Sequence, residues 1–262
     1  MPETIVWMTA DKPQGLMLAY LDQLESAGVK VHHEAATEHK NELVTIGYRL
    51  YRAHRAARQY PDHKIVISDA FDVMLFGKDF EDKIPDDYVL LAGERNCYPD
   101  STQSVLIEGP TPWKFANGGL LAGTSKMLLK WAEALQSHPL YWPSLNDQAF
   151  YNSLLVRGRI PFTAIDYSTE LFYCAYQEKT ELQFNQGVPH NTSCGTYPNF
   201  VHFSGRWPSG EILSRYHSSL GHTVPRTELI EINIPFACTI KLEVCEGCKA
   251  KLVEQGYVLE RS

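Results

Sequence analysis

Three short apolar runs separated by helical patterns constrain this chain more than anything else in it. Ile5 to Thr9 closes at Ala-Asp-Lys-Pro-Gln-Gly, after which Met17, Tyr20, Leu21 and Leu24 recur at helical spacing until Gly28 supplies a C-terminal cap. Val29 to His33 reads as a second strand. Leu43, Ile46, Gly47, Leu50, Tyr51 and His54 then mark one face of a helix that stops before Pro61, and Lys64 to Ser68 reads as a third strand. Strands alternating with amphipathic helices connect through parallel crossovers. The fold class expected is therefore α/β, a Rossmann-like, mostly parallel sheet flanked by helices, with ligands bound beyond the carboxyl ends of the strands.

The pattern continues with a strand at Tyr88 to Ala92, a Gly-rich apolar segment at Phe115 to Gly123, and a helix capped by Ser125 with Leu128, Trp131, Ala132 and Leu135 inward. A further helix runs from Asn146 to Val156. Phe162 to Asp166 and Phe200 to Phe203 read as short strands joined by a long Tyr-, Asn- and Thr-rich connection. From Leu229 the period changes to strict alternation, Ile230, Ile232, Ile234 and then Ile240, Leu242, Val244, which predicts a hairpin ending in Cys245-Glu-Gly-Cys248. The expected division is one domain over 1–228 and a short C-terminal β-hairpin/helix appendage over 229–262 packed on it. A chain of 262 residues with 44% hydrophobic side chains builds such a core without disulfides or structural metals.

The net charge of −7 excludes a generally basic nucleic-acid binder, and any polyanion site must be local. Arg49, Arg52, Arg55 and Arg58 make one helix basic, but their spacing spirals around it, so a solvated face is expected. The N-terminus lacks the basic start and apolar stretch of a secretory signal, and no run approaches a membrane span, which gives the expectation of a cytoplasmic protein with no membrane contact. Its six cysteines are then reduced thiols. Cys238, Cys245 and Cys248, with His217 or His222 as a fourth ligand, hold only one close pair, which argues against Zn²⁺ there.

The chemistry concentrates at two strand ends. Asp69-Ala-Phe-Asp72 follows the third strand directly, so both carboxylates can turn toward one hard cation from a tight connection. Val201-His202-Phe203-Ser204-Gly205-Arg206, another strand running into a turn, is expected at the same edge. It adds an imidazole that can join the two carboxylates on Mn²⁺. Arg206, with backbone N–H groups near Gly205, suits phosphate oxygens.

With these segments in view the chain resembles the glycosyltransferase domain of the procollagen lysyl hydroxylases, a GT-A-fold family that uses UDP-sugars and Mn²⁺. Five segments match in order: Ile67-Ser-Asp-Ala-Phe-Asp-Val-Met-Leu-Phe-Gly77, Ala92-Gly-Glu-Arg-Asn-Cys-Tyr-Pro-Asp100, Phe115-Ala-Asn-Gly-Gly-Leu-Leu-Ala-Gly123, Asn146-Asp-Gln-Ala-Phe-Tyr151 and Val201 to Arg206. The resemblance implies Asp69, Asp72 and His202 as ligands of Mn²⁺ (or Mg²⁺). It implies Phe71 stacked on uracil, Val6 and Thr9 against the nucleotide, and Asn117, Gly118 and Gly119 beside the donor sugar. Asp147 matches the last carboxylate of an acidic run. The chain departs from the family at Leu145-Asn146, where the family has further Asp residues, and at Tyr98, where it has Trp.

The reading that results is a metal-dependent hexosyltransferase moving sugar from a UDP-sugar to an acceptor hydroxyl. Gly205 and Arg206 assist at the diphosphate, and Asp147 or Glu94 binds sugar hydroxyls or acts as base. A metal-dependent phosphoesterase and a non-catalytic nucleotide-binding GT-A fold are the alternatives. The departures from the family pattern direct the acceptor away from collagen hydroxylysine. A hydroxymethylated DNA base, met by a local surface of Arg49 to Arg58 with Arg206 and Arg215, stands beside hydroxylysine, a glycan or a small molecule. The oligomeric state is left open.

Overall fold

The computed structural model describes residues 3–10, 16–35, 44–175 and 181–204, together with the backbone of three strands nearer the C-terminus. In chain order the main body contains β1 (Thr4–Thr9), α1 (Leu16–Ser26), β2 (Lys30–Glu34), α2 (Ile46–Gln59), β3 (Lys64–Ser68), β4 (Val73–Leu75), β5 (Val89–Glu94), β6 (Phe115–Thr124), α3 (Ser125–Gln136), α4 (Asp147–Val156), β7 (Thr163–Asp166), β8 (Phe172–Cys174), β9 (Leu182–Asn185), β10 (Val188–Asn191) and β11 (Phe200–His202).

Six of these strands form the central sheet in the order β2-β1-β3-β6-β5-β7. β1 pairs in parallel with β2 and β3, and β5 in parallel with β7, whereas β6 runs antiparallel to both its neighbours. The mixed α/β fold with a mainly parallel sheet is as expected. The single reversal escaped the sequence because a continuous apolar run reports burial on both faces and says nothing of direction.

Period-two alternation divides the strand side chains between two cores. Ile5, Trp7, Ile65 and Ile67 pack with Leu50 and Ala53 of α2, Trp131 of α3 and Phe150 of α4. Val6, Met8 and Val66 point the other way, toward Tyr20 and Leu24 of α1 and toward Phe172 and Phe200.

Those last two residues belong to a separate sheet, β4-β11-β8, in which β11 is antiparallel to β4 and parallel to β8. The segment carrying His202 is thus not a strand of the central sheet, as its apolar run suggested. It is held against the segment that follows Asp72, with His202 paired to Val73. β4 is three residues long, too short for periodicity to mark it. The long connection before β11 contains a hairpin of β9 and β10.

The cap of α3 also differs from expectation. Thr124 occupies the N-cap, its hydroxyl accepting from the Met127 N–H, while Ser125 lies inside the helix and donates to the Tyr60 and His63 carbonyls. Near the C-terminus β12 (Glu228–Ile234) and β13 (Cys238–Val244) form the expected hairpin, and β14 (Leu259–Arg261) pairs with the far side of β12. Cys245 and Cys248, with His217 and His222, lie outside the described residues. Among the described residues no helix is long and apolar enough to cross a membrane.

Thr124→Ala should lower the unfolding free energy by about 1 kcal/mol, the usual cost of an N-cap hydroxyl. Urea denaturation checks this, and an unchanged midpoint would remove Thr124 from the cap.

Candidate active site

β3 ends at Ser68, and the chain turns at once through Asp69, Ala70, Phe71 and Asp72 before entering β4. The turn is fixed at both ends: the Asp69 N–H donates to the Gly119 carbonyl at 2.8 Å, and the Phe203 N–H donates to the Asp72 carbonyl at 2.8 Å. Pairing of β4 with β11 then sets His202 beside the carboxylates. Its Nε2 is 3.3 Å from Asp72 Oδ2 and 3.8 Å from Asp69 Oδ2, and one ligand atom from each of the three residues falls within 4.8 Å of the others. His202 is buried, while Asp69 and Phe71 are partly open to solvent at the carboxyl edge of the sheet.

Two observations fit a divalent cation to this trio. The buried Nε2 of His202 makes no aligned hydrogen bond, although it faces two carboxylates. The donor set, two carboxylates and one imidazole, is also hard enough for Mn²⁺ or Mg²⁺. Burial acts against the imidazolium, but Asp72 beside it outweighs burial and holds the His202 pKa well above the ordinary histidine value. A cation among these groups would take the place of that proton.

The wall opposite is β6. Its pairing with β5 slips between Leu91 and Ala92, where the partner jumps from Leu121 to Asn117, so Gly118, Gly119 and Leu120 bulge at the mouth of the site. Both glycines are required by close approach. A Cβ at Gly118 would lie 2.1 Å from Asp147 Oδ2, and one at Gly119 would lie 2.3 Å from His202 Cε1.

Asp147 is the first residue of α4, after the N-cap Asn146, whose side chain accepts from the Ala149 N–H. The N-termini of α2 and α4 are laced together, the Ile46 N–H donating to the Leu145 carbonyl and the Asp147 N–H to the Val44 carbonyl. This brings the first turn of α2 into the site and with it Arg49, which the sequence reading missed. Arg49 Nε donates to Asp147 Oδ2 at 3.0 Å and Nη1 to Asp69 Oδ1 at 3.4 Å. Burial acts against its charge, yet Asp147 and then Asp69 outweigh burial, so the guanidinium holds its proton more tightly than usual. Burial likewise raises the Asp147 pKa, with Arg49 acting in the opposite direction.

The basic helix is therefore not a solvated face. Arg52 is also buried, its Nη2 donating to the Trp7 and Ser68 carbonyls at the ends of β1 and β3, and burial together with neighbouring Arg49 lowers its pKa to about 10. Of the residues described, Arg55 pairs with Glu34 and Arg58 faces solvent. A basic surface running from Arg49 to Arg58 does not exist, because two of its four arginines point into the protein. Helical spacing alone could not disclose this. The useful signal was the small inner face Ala53, Ala56 and Ala57, which seats α2 close enough for buried arginines to reach the strand ends.

The remaining residues expected at the site fall as follows. Thr9 closes β1 and lies 3.5 Å from the Tyr48 hydroxyl, whereas Val6 is wholly inside the second core. Glu94, at the end of β5, is buried and accepts from Asn117 Nδ2 at 3.0 Å and Gln148 Nε2 at 2.7 Å. Gly205 and Arg206 lie outside the described residues.

No protein-family model matches the chain, and no curated protein sequence does. Solved structures similar to it include a glycosyltransferase involved in the glycosylation of the major capsid of PBCV-1, at 14% identity over 78% of this chain and 96% of that one, TM-score 0.42. The galactosyltransferase LgtC, in complex with donor and acceptor sugar analogues, matches at 11% identity over 85% of this chain and 97% of that one, TM-score 0.43. GlyE of Streptococcus pneumoniae TIGR4, also a glycosyltransferase, matches at 13% identity over 84% of this chain and 60% of that one, TM-score 0.34.

The Arg49–Asp147 pair gives a test of the site's construction. Both side chains are almost fully buried, at 3% and 4% exposure. Arg49→Met should therefore cost about 3–5 kcal/mol of stability, because it strands a buried carboxylate. Asp147→Asn in the same chain should recover part of that loss in urea denaturation. A double variant no more stable than R49M would show that the two residues are not coupled.

Proposed function

We propose that this protein transfers a hexose from a UDP-sugar to an acceptor hydroxyl, with Mn²⁺ or Mg²⁺ held by Asp69, Asp72 and His202. The observation that carries the reading is the buried His202 Nε2, without an aligned hydrogen bond and facing two carboxylates beside a partly exposed aromatic, Phe71. The five matching segments and a GT-A fold of the kind that resemblance implies add their weight.

In this reading Phe71 stacks on the uracil ring and Thr9 bounds the nucleotide side, while the fully buried Val6 supports β1 from within the core. Gly118 and Gly119 leave room for the donor sugar, and Gly205 and Arg206 meet the diphosphate. The divalent ion, when bound, sets positive charge against the negative charge that develops on the UDP leaving group.

Asp147 is prepared for a role at the sugar. Its Oδ2 accepts from Arg49 Nε, and its Oδ1 accepts from the Gln148 N–H at 2.8 Å, so the carboxyl group is held in one orientation, with the guanidinium opposing the rise that burial gives its pKa. A carboxylate in that state accepts hydrogen bonds from sugar hydroxyls or takes the acceptor's proton. Arg49 is a positioning residue here, since it acts through Asp147 and Asp69. Among the described residues the Asp69, Asp72 and His202 trio is the one metal-ligating cluster, whereas a phosphoesterase usually gathers a second.

A panel of UDP-sugars incubated with and without Mn²⁺ and scored for UDP release tests the reading, with phosphate release in place of sugar transfer marking a phosphoesterase. Asp72→Ala should abolish the Mn²⁺-dependent UDP release while the protein stays folded; normal turnover in that variant would sink the metal assignment. UDP with Mn²⁺ at about 100 times its dissociation constant should add roughly 2.7 kcal/mol of stability in a thermal scan, and UDP with a chelator should add little. Offering hydroxymethylated DNA, free hydroxylysine and simple glycans with UDP-glucose and Mn²⁺, read by mass spectrometry, identifies the acceptor class.

A further inference from the structure

Behind His202 the structure contains a buried polar chain that no metal or donor contact explains. Asn117 lies at its centre. Its Nδ2 donates to Glu94 Oε2 at 3.0 Å, and its Oδ1 accepts from the Gly119 N–H at 2.8 Å and lies 3.1 Å from His202 Nδ1. Gln148 Nε2 donates to the same Glu94 oxygen at 2.7 Å. Asn117 and Glu94 are buried at 2% and 4% exposure, so these bonds have little competition from water.

The orientation of the Asn117 amide is over-determined. A backbone N–H can only donate, so the atom facing Gly119 is the oxygen. A carboxylate can only accept, so the atom facing Glu94 is the nitrogen. With the oxygen turned to His202 Nδ1, that ring nitrogen must carry the hydrogen and donate it. Cys174 Sγ lies 3.7 Å from the same Nδ1, and a thiol donating to that nitrogen would leave the Asn117 oxygen facing a lone pair at 3.1 Å, so the thiol sulfur is a second, weak acceptor there. In the neutral ring Nε2 then bears the lone pair, and Nε2 is the nitrogen that faces Asp69 and Asp72.

We infer that Glu94 and Asn117 are positioning residues, a carboxylate–amide relay that locks the Nδ1–H tautomer of His202 and so presents Nε2 to the cation. Glu94 is then neither the base nor a sugar ligand, and the role left for a carboxylate at the sugar falls to Asp147. The relay also explains why Asn117 stands before the two glycines. Its oxygen is fully used and its nitrogen is turned to Glu94, with the side chain buried, so the donor sugar meets the bare backbone at 118 and 119 and not the Asn117 side chain. The inference rests on the metal-site reading above for its consequence, but the tautomer itself does not.

The test has two arms. In the first, ring ¹⁵N spectra of the unmodified protein should show a protonated Nδ1 on His202 with Mg²⁺ bound and, without metal, at a pH high enough to take the ring to its neutral form. An unprotonated Nδ1 in either state overturns the relay. In the second, Mn²⁺ binding is measured by titration calorimetry on Glu94→Leu and Glu94→Gln. Both bonds to Glu94 end on one oxygen, which an amide oxygen can replace, so E94Q should bind Mn²⁺ within about threefold of the unmodified protein. E94L should weaken binding by about 10–100-fold, the range found for groups that support a metal's histidine ligands. Unchanged Mn²⁺ affinity in E94L, or loss of UDP release in both variants with Mn²⁺ affinity intact, would show that Glu94 acts on the substrate and overturn the proposal. Thermal unfolding confirms that E94L is folded; if it is not, the spectra and E94Q decide, and a tenfold loss of Mn²⁺ affinity in folded E94Q overturns the proposal. If the unmodified protein bound no Mn²⁺ at all, the reading of the function would fall, while ring spectra taken at a pH where the ring is neutral would still decide the tautomer.

Discussion

The site depends on a stretch of backbone without side chains. At Gly118 and Gly119 strand β6 comes so close to Asp147 and His202 that even a methyl group has no room, and the strand slips its register with β5 at that point. Beside the slip the Gly119 carbonyl accepts from the Asp69 N–H, continuing the β3–β6 ladder, and the Gly119 N–H donates to Asn117, so one glycine ties the Asp69 loop and the Asn117 side chain together. The contributing residues come from β3, β5, β6, β11, α2 and α4, and the bulge is where they meet.

Electrostatics then sets how these residues can coexist. Asp69, Asp72, Asp147 and Glu94 are four carboxylates in and around one cleft, and close like charges would push their protons back on. Arg49 stands between Asp69 and Asp147, and Arg52 sits below them on the ends of β1 and β3. Glu94 is kept apart by a neutral screen of Asn117 and Gln148 amides. Burial raises its pKa, and those hydrogen bonds act the other way. The result is a graded arrangement: Asp147 and Asp69 share one guanidinium, Glu94 is bonded to amides, and Asp72 and Asp69 face the imidazole of His202.

Much of this was legible in the sequence, and the parts that were not share a cause. β1, α1, α2 and β3 follow from hydrophobic periodicity because each packs its apolar side chains into a core, and Asp69 and Asp72 follow from their position at the end of β3. β4 and β8, three residues each, have no period to read, and the equally short β11 was legible only as an apolar run ahead of a turn. The reversal of β6 was invisible because direction is a tertiary property. Arg49 and Arg52 were misread because helical spacing says which residues share a face but not what that face meets. At the first turn of α2 it meets carboxylates and carbonyls as well as apolar side chains. Ser125 was misplaced by one residue because Thr124 and Ser125 are both good caps, and only the hydrogen bonds separate them.

The burial of those arginines bears on the acceptor. Of the basic groups once available for a duplex surface on α2, Arg49 is enclosed by Asp147 and Asp69, Arg52 is enclosed by strand-end carbonyls, and Arg55 is paired with Glu34. Each phosphate contact by an exposed cation contributes to nonspecific DNA affinity through counterion release, whereas a buried, paired guanidinium releases none. With an overall charge of −7, little on this helix is left to hold a polyanion. What the cleft does present is partly exposed aromatic surface at Phe71 on one side and, behind the bare backbone of Gly118 on the other, the buried Asp147 carboxyl held in one orientation by Arg49 and Gln148. Such a pair suits one planar ring and one hydroxyl-bearing ring better than an extended phosphate backbone.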